Sequence, residues 1–233
     1  MNTSTWLPLS VFSITVVILT LNELSRASMA PKTKFRKGDT VEVAFNIVRR
    51  QGWEKLSARA IASELGSSTM PIYSNLGSMG DLEEMIVKKA LDLQLLFQKT
   101  PRTGDPILDL GLGYVLFAKD ERHLFKAIND EKHGQLQVKL GEENFEFVVQ
   151  ALSKDARSEG MSRDQLRKLV FYWWIFVHGL ANINNDLAGQ EFNNSVGREF
   201  NETEIADCIR EAGELIMRGL LVDAQSQEKT GLE

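Results

Sequence analysis

Hydrogen-bonding side chains between residues 57 and 75 are the groups of this sequence best suited to contact another molecule. Ser57 and Arg59 stand at the beginning of this stretch, and a cluster of hydroxyl and amide groups follows at residues 68–75. Hydroxyl, amide and guanidinium groups of this kind can hold phosphate oxygens and base edges. The chemistry that the stretch offers is therefore recognition of a polar, phosphate-bearing partner.

Motifs for catalysis or metal binding are absent from the sequence. It has no Gly-rich phosphate loop, no HExxH motif and no paired cysteines. His123, His133 and His178 have no partners at metal-ligand spacing, so we predict structural or solvent-exposed roles for them. Cys208 is the single cysteine, which excludes an internal disulfide and fits a reducing compartment. We predict no catalytic residue, no metal and no cofactor; an all-helical enzyme is a rival class that no motif supports.

The spacing of apolar residues predicts a short helix from Ser57 to Leu65. Ser57 is a suitable N-cap because its hydroxyl can accept a hydrogen bond from an unpaired backbone N–H. Ala60, Ile61 and Leu65 fall at helical spacing and form one apolar stripe. Gly66 then ends the helix, since glycine readily adopts the left-handed conformation.

A second short helix is predicted directly after this turn. Ser68 can cap it, and Pro71 lies in its first turn, where no backbone hydrogen bond is lost. Ile72 and Leu76, four residues apart, would pack it against the first helix. The pair forms a helix–turn–helix, which places the N-terminal end of its second helix in the major groove of DNA. Four side chains would point outward there: Thr69, Met70, Tyr73 and Ser74.

Two longer helices are predicted to flank this pair. Asp39–Gly52 forms the first, with a capping box of Asp39 and Glu42. Its buried stripe would comprise Val41, Ala44, Phe45 and Val48. A capping box of Ser78 and Asp81 begins the other, a long amphipathic helix. Its apolar positions are Leu82, Ile86, Ala90, Leu93 and Phe97.

Together with Asp39–Gly52, the segment from Leu56 to Leu82 resembles the DNA-binding domain of the TetR family of bacterial transcriptional regulators. The matching residues are Ala44, Gly52, Leu56, Ser57, Arg59, Ile61, Ala62, Leu65, Gly66, Ser68, Ile72, Tyr73 and Leu82. Asn75-Leu76 departs from the family, which usually has His or Tyr followed by Phe. Met79 stands where the family usually has a lysine that contacts phosphate, so we expect one phosphate contact fewer.

The resemblance implies an all-α fold of two domains. Residues 29–80 would form a three-helix DNA-binding domain, and residues 81–233 a helical effector-binding and dimerisation domain. It further implies a cytoplasmic homodimer, without a cofactor, that binds a palindromic double-stranded DNA operator. A small-molecule effector would release this repressor from DNA; an activator is a variant of the same class. The residues expected at the DNA are Ser57, Arg59, Ser68, Thr69, Met70, Pro71, Tyr73, Ser74 and Asn75.

The charge distribution agrees with this division. The chain carries a net charge of −5, which alone would disfavour binding to DNA. Residues 29–80 hold eight basic and four acidic side chains, a net of +4, whereas residues 81–233 hold a net of −9. Arg49 and Arg50 are predicted to complement the dipole of the first helix rather than to contact DNA. The positive segment is therefore the part suited to phosphate.

Helices are predicted beyond the loop Thr100–Pro106, near residues 106–119, 121–130, 137–158, 162–187 and 202–223. Leu169–Ile183 is apolar on all sides, so one interface cannot bury it, and it is too short to span a membrane. With the last helix, capped by Asn201 and Glu204, it is expected to form a four-helix seam between two subunits. The predicted dimer contacts are Phe176, Gly179, Leu180, Ile205, Cys208, Ile209, Ala212 and Ile216.

An effector pocket among the middle helices is implied by the resemblance. Its candidate residues are Tyr114, Phe117, Phe147, Trp174, His178 and Asn182. For each of these residues taken alone, packing in the core is the competing interpretation, because aromatic residues at helical spacing are usually buried there. An apolar or aromatic ligand is expected.

Residues 1–28 differ from the rest of the chain. Sixteen uncharged, largely apolar residues run from Trp6 to Leu21, which is short for a membrane span of roughly 20 residues. The length suits a signal peptide, but no Lys or Arg precedes the run. Met29 begins a basic arm typical of a regulator's N-terminus. We therefore expect residues 1–28 to be an upstream extension or a disordered segment, with no membrane partner. The alternative is a membrane-anchored, all-helical interaction protein.

Overall fold

Eight α-helices, and no β-strand, are formed by the part of the chain that the structure describes. The computed structural model describes residues 36–70, 72, 78–185, 191, 195 and 201–230. The helices are α1 (Lys37–Gln51), α2 (Ala58–Glu64), α3 (Met79–Lys99), α4 (Pro106–Asp120), α5 (Arg122–Ile128), α6 (Gly134–Leu152), α7 (Arg163–Asn185) and α8 (Glu202–Thr230). Short 3-10 turns occupy Trp53–Lys55, Glu131–His133 and Ala156–Ser158. The prediction of an all-α fold is confirmed.

Helix α1 begins two residues before its predicted start. Asp39 consequently lies inside the first turn, so the predicted capping box of Asp39 and Glu42 is wrong. Glu42 instead forms an ion pair with Lys89 of α3, because α1 and α3 lie side by side. Gly52 ends the helix as predicted, with a φ of 93° that favours glycine.

Helix α4 is the centre of the fold. Every residue from Leu108 to Ala118 is buried, because α3, α7 and α8 all pack against this helix. A Cβ atom on Gly113 would lie 2.3 Å from the backbone oxygen of Phe97 in α3. Only the absence of a side chain at this position lets the backbones of α3 and α4 approach so closely.

Two of the predicted features of α7 are visible in how it is buried. Its inner side packs in the core through residues that include Leu169, Trp173 and Val177. Its outer side carries large apolar residues that remain 41–49% exposed, namely Phe171, Tyr172, Trp174, Ile175 and Ile183. One chain therefore buries only part of this apolar helix, as its composition predicts.

The loop between α3 and α4 is ordered by the Asp109 side chain. Its carboxylate accepts hydrogen bonds from the backbone N–H groups of Arg102 (3.0 Å) and Thr103 (2.8 Å). Asp105 caps α4 by accepting from the backbone of Ile107 at 3.0 Å. The loop prediction is confirmed here. All eight helices belong to the unit that begins at Lys37. The division at residues 80 and 81 stays a prediction, and residues 1–28 lie outside the described residues.

Candidate nucleic-acid interface and interior cavity

The turn between the two short helices has the geometry that its residues predict. Ser57 caps α2 by accepting a hydrogen bond from the backbone N–H of Ala60 at 3.1 Å. Gly66 has a φ of 60°, and Ser67 N–H donates to the Ala62 carbonyl at 2.9 Å. With the bond from Gly66 N–H to the Ser63 carbonyl at 3.2 Å, this pair of bonds is a Schellman motif. The chain therefore leaves α2 in one defined direction.

The start of the second short helix is anchored on one side and exposed on the other. Ile72 is only 1% exposed and belongs to the same core as Ile61 of α2. Met70, two residues earlier, is 79% exposed. The predicted opposition between a buried Ile72 and an outward Met70 is confirmed.

The predicted DNA-contacting residues divide into two groups. Ser57, Arg59, Ser68 and Met70 are exposed, and Thr69 is half-buried. The others lie outside the described residues: Pro71, Tyr73, Ser74 and Asn75, as does Leu76 of the predicted packing pair. The contacts of all nine with DNA stay predictions.

The two arginines at the end of α1 are engaged within the chain. Arg49 makes two hydrogen bonds to Glu121, one of them at 2.7 Å, and Glu121 is almost completely buried. This ion pair raises the pKa of Arg49. Arg50 pairs with Glu64 of α2 at 2.7 Å. These tertiary ion pairs agree with the prediction that the arginines do not contact DNA, although their partners were not predictable.

Helix α3 begins at the helix–turn–helix with the predicted capping box. Ser78 Oγ accepts from the backbone N–H of Asp81 at 3.1 Å, and Asp81 accepts from the backbone N–H of Ser78 at 3.0 Å. Met79, at the position of the family's lysine, is half-buried against the core. Its side chain serves packing, which fits the absence of a charge there.

His133 fastens the α5–α6 connection to the end of α1. Its side chain is buried, and Nδ1 lies 2.7 Å from the Ala127 carbonyl, to which it must donate. The ring meets Trp53 edge-on, with centroids 4.4 Å apart. Lys132 pairs with Glu83 of α3 at 2.9 Å. His133 thus has the structural role that the sequence allowed.

A cavity of about 580 Å³ lies between α3, α4, α6 and α7. This volume falls in the range of roughly 300–1,000 Å³ that is usual for small-molecule sites. Its walls are mostly apolar and aromatic, with a few amides and charged groups. The lining includes Leu91, Gln94, Gln98, Leu110, Tyr114, Asn144, Phe145, Arg167, Phe171, Trp173, Trp174 and Val177.

A polar group of side chains lies at one wall of the cavity, centred on Tyr114. The Tyr114 hydroxyl is 2.8 Å from Nδ1 of His178, and Gln94 and Trp174 also hydrogen-bond to the phenol. Burial raises the pKa of Tyr114 and lowers the pKa of His178, so both side chains are uncharged at neutral pH.

The predicted pocket residues lie in three different places. Tyr114 and Trp174 line the cavity, and His178 reaches it through Tyr114. Phe117 is fully buried in the core beneath it. Phe147 faces Lys99, whose Nζ is 4.2 Å from the ring centroid, and Asn182 is exposed and donates to the His178 carbonyl. Phe117, Phe147 and Asn182 are therefore corrected: they do not line this cavity.

The sequence reasoning missed the amide groups of the cavity. Gln94 and Gln98 are buried on α3 although glutamine usually lies at the surface. Gln98 donates to the Leu110 carbonyl at 3.3 Å and accepts from Asn144 at 3.1 Å. Two polar residues four apart in the apolar stripe of α3 were the available signal for a polar wall.

The predicted dimer contacts also divide by burial. Leu180, Ile205 and Ile209 are buried within this chain and have almost no surface left for a partner. The remaining predicted contacts are half-buried: Phe176, Gly179, Cys208, Ala212 and Ile216. The large exposed apolar side chains nearby belong to the outer side of α7 and to Leu215 of α8, which is 70% exposed.

Two searches of the described ranges concern membranes and metals. No helix there is both long enough and apolar enough to cross a lipid bilayer. In the same ranges, no group of three His, Cys, Asp or Glu side chains is placed to hold a metal ion.

The chain is similar in sequence to two regulators. One is the uncharacterized HTH-type transcriptional regulator Rv0681 of Mycobacterium tuberculosis, 21% identical over 164 residues, which cover 66% of this chain and 72% of that protein. The other is the HTH-type transcriptional repressor DrrR1 of Streptomyces coeruleorubidus, 33% identical over 88 residues, which cover 38% of this chain and 29% of that protein. No protein-family model matches the chain. The similarity to proteins named as HTH-type transcriptional regulators thus extends over part of this sequence.

Proposed function

We propose that this protein is a ligand-responsive, DNA-binding transcriptional regulator of the TetR type, and that it acts as a repressor. A homodimer would insert two copies of the helix that begins after Ser68 into successive major grooves of a palindromic operator. Thr69, Met70 and Ser74 would contact base edges. Ser57, Arg59 and Tyr73 would hold phosphates and set the register.

The observation that carries this proposal is the geometry of the turn after α2. The cap at Ser57, the Schellman motif at Gly66 and the buried Ile72 hold two short helices at a fixed angle. Polar and exposed side chains stand at the start of the second helix, which is where a helix–turn–helix reads DNA. The names of the two similar proteins support the same function.

Two connections would carry a signal from the cavity to the DNA-binding helices. Helix α3 runs from the helix–turn–helix at Ser78 to the cavity wall at Gln94. Helix α4 carries Tyr114 at the cavity, and Glu121, directly after its end, binds Arg49 of α1. A ligand that fits one arrangement of these helices better than another would shift the population between them.

A second copy of this chain would cover the outer side of α7. Four large apolar side chains are exposed there, Phe171, Tyr172, Ile175 and Ile183, with Leu215 on the neighbouring α8. Contiguous apolar surface of this kind is typical of an interface. A two-fold dimer would also supply two recognition helices, which a palindromic site needs.

Fluorescence anisotropy with the full-length protein tests DNA binding. The labelled DNA is the region upstream of the protein's own gene, measured with random-sequence competitor and over a series of salt concentrations. Thr69→Ala should relax base preference. Arg59→Ala should weaken binding to all sequences and lower the salt slope by about 1, because one phosphate contact is lost.

Lys154→Ala is the matched control, because it removes an exposed positive charge far along the chain from the helix–turn–helix. It should leave the affinity for DNA unchanged. If Thr69→Ala and Arg59→Ala behave like this control, the interface is placed wrongly. A complete lack of binding at low salt would refute the regulator itself.

A further inference from the structure

The aromatic wall of the interior cavity is the first guide to its ligand. The Trp174 ring lies against Phe171 with centroids 6.4 Å apart and against His178 at 5.2 Å, and both pairs are stacked. Trp174 is 41% exposed, so part of its surface is open to a further ring. A flat aromatic molecule suits this wall, because stacking and the burial of apolar surface both favour it.

The hydrogen-bonding groups of the cavity are uncharged. Tyr114 and His178 are bonded to each other and are both neutral at neutral pH, and Gln94 is a carboxamide. Gln98 and Asn144 are bonded to each other across the wall. The cavity thus offers neutral dipoles and no full charge on this side.

The charged side chains among the described lining residues are Arg167 and Glu142, and neither is suited to hold an ion. Arg167 forms an ion pair with Glu146, which also binds Arg163 at 2.9 Å. Glu142 is exposed to solvent. A charged ligand would therefore lose its hydration without gaining an unpaired opposite charge, which is unfavourable.

We propose that the cavity binds an uncharged aromatic molecule, one that stacks on Trp174 and places a neutral hydrogen-bonding group near Tyr114 and Gln94. This inference rests on the proposed function, because it names the class of effector that the regulator would sense. It excludes organic anions and cations of the same shape as effectors.

Two dyes that differ in one charge test the proposal on the full-length protein. N-phenyl-1-naphthylamine is neutral, and 8-anilinonaphthalene-1-sulfonate has the same rings with an added sulfonate; both fluoresce in apolar surroundings. The neutral dye should bind at least about tenfold more tightly than the anionic dye, because the sulfonate finds no unpaired cation.

A pair of glycines in α6 locates the dye. Gly141 lines the cavity, whereas Gly134 does not, and a Cβ on either would meet no heavy atom within 4 Å. Gly141→Leu should fill the cavity and raise the Kd of the neutral dye at least about tenfold. Gly134→Leu makes the same change in the same helix and should leave that Kd unaltered.

Trp174→Leu is a second variant, chosen because this exposed side chain can be replaced without opening the core. It should also weaken the neutral dye, since a stacking surface is lost. Equal affinity for both dyes at a site that Gly141→Leu blocks would overturn the uncharged class. An unaltered Kd in Gly141→Leu, with a native circular dichroism spectrum, would overturn the cavity as the site. No DNA is present, so failure here is distinct from failure to bind an operator.

Discussion

Single residues decide how the helix–turn–helix is held together. Ser57, Gly66 and Ser78 each satisfy backbone groups at a helix end, and all three roles follow from residue type and local spacing. Asp39 shows the limit of this reasoning. A carboxylate near a helix start can cap it or lie in its first turn, and local sequence does not distinguish the two positions.

Gly66→Ala tests the backbone conformation at this scale. The φ of 60° strains any residue with a Cβ, so we expect a loss of about 1 kcal/mol in the free energy of unfolding. Gly38→Ala is the matched control, because a Cβ at either position meets no heavy atom within 4 Å. Urea denaturation should show Gly38→Ala to be neutral or stabilising, and equal losses for both variants would contradict the role of the left-handed turn.

Helices meet through contacts that the sequence did not announce. Arg49 and Glu121 are separated by 72 positions, and nothing local marks them as partners. The same limit explains the pocket residues. Phe117 and Phe147 have the helical spacing of Tyr114 and Trp174, yet only the packing of α4, α6 and α7 separates core from cavity wall. Element boundaries were thus predictable, whereas the partners of each face were not.

Arg49→Ala should destabilise the protein by about 2 kcal/mol, because it leaves the buried Glu121 carboxylate without its partner. The partial exposure of Arg49 keeps the loss below that of a fully buried pair. Arg210→Ala breaks an exposed pair with Asp207 on α8 and should cost less than about 0.5 kcal/mol. Chemical denaturation measures both variants. Similar losses would mean that the α1–α5 contact is not held by this ion pair.

At the scale of the whole molecule, the apolar surface of α7 is the feature that one chain leaves unfinished. The sequence indicated that α7 must meet two surroundings, because it is apolar on all sides. Burial of Leu180, Ile205 and Ile209 within the chain moves the expected seam outward. Its centre would lie at Phe171, Ile175 and Leu215.

Ile175→Glu tests this seam by sedimentation velocity. Ile175 is 49% exposed, so a carboxylate is tolerated in the single chain but not in a dry interface, and the protein should sediment as a monomer. Leu96→Glu makes the same kind of change on α3, where the side chain is 60% exposed, and should leave the dimer intact. A dimer in both variants would place the interface elsewhere.

Gly113 has a consequence for how such a molecule could vary. The missing side chain acts as a spacer of zero thickness, so the separation of α3 and α4 is set by backbone contact and not by any packed group. The two helices then resemble the fused plates of a shell, which can tilt together but cannot slide past each other. A homologous protein with alanine or a larger residue at this position would need a wider gap between these helices, and with it a cavity of a different size.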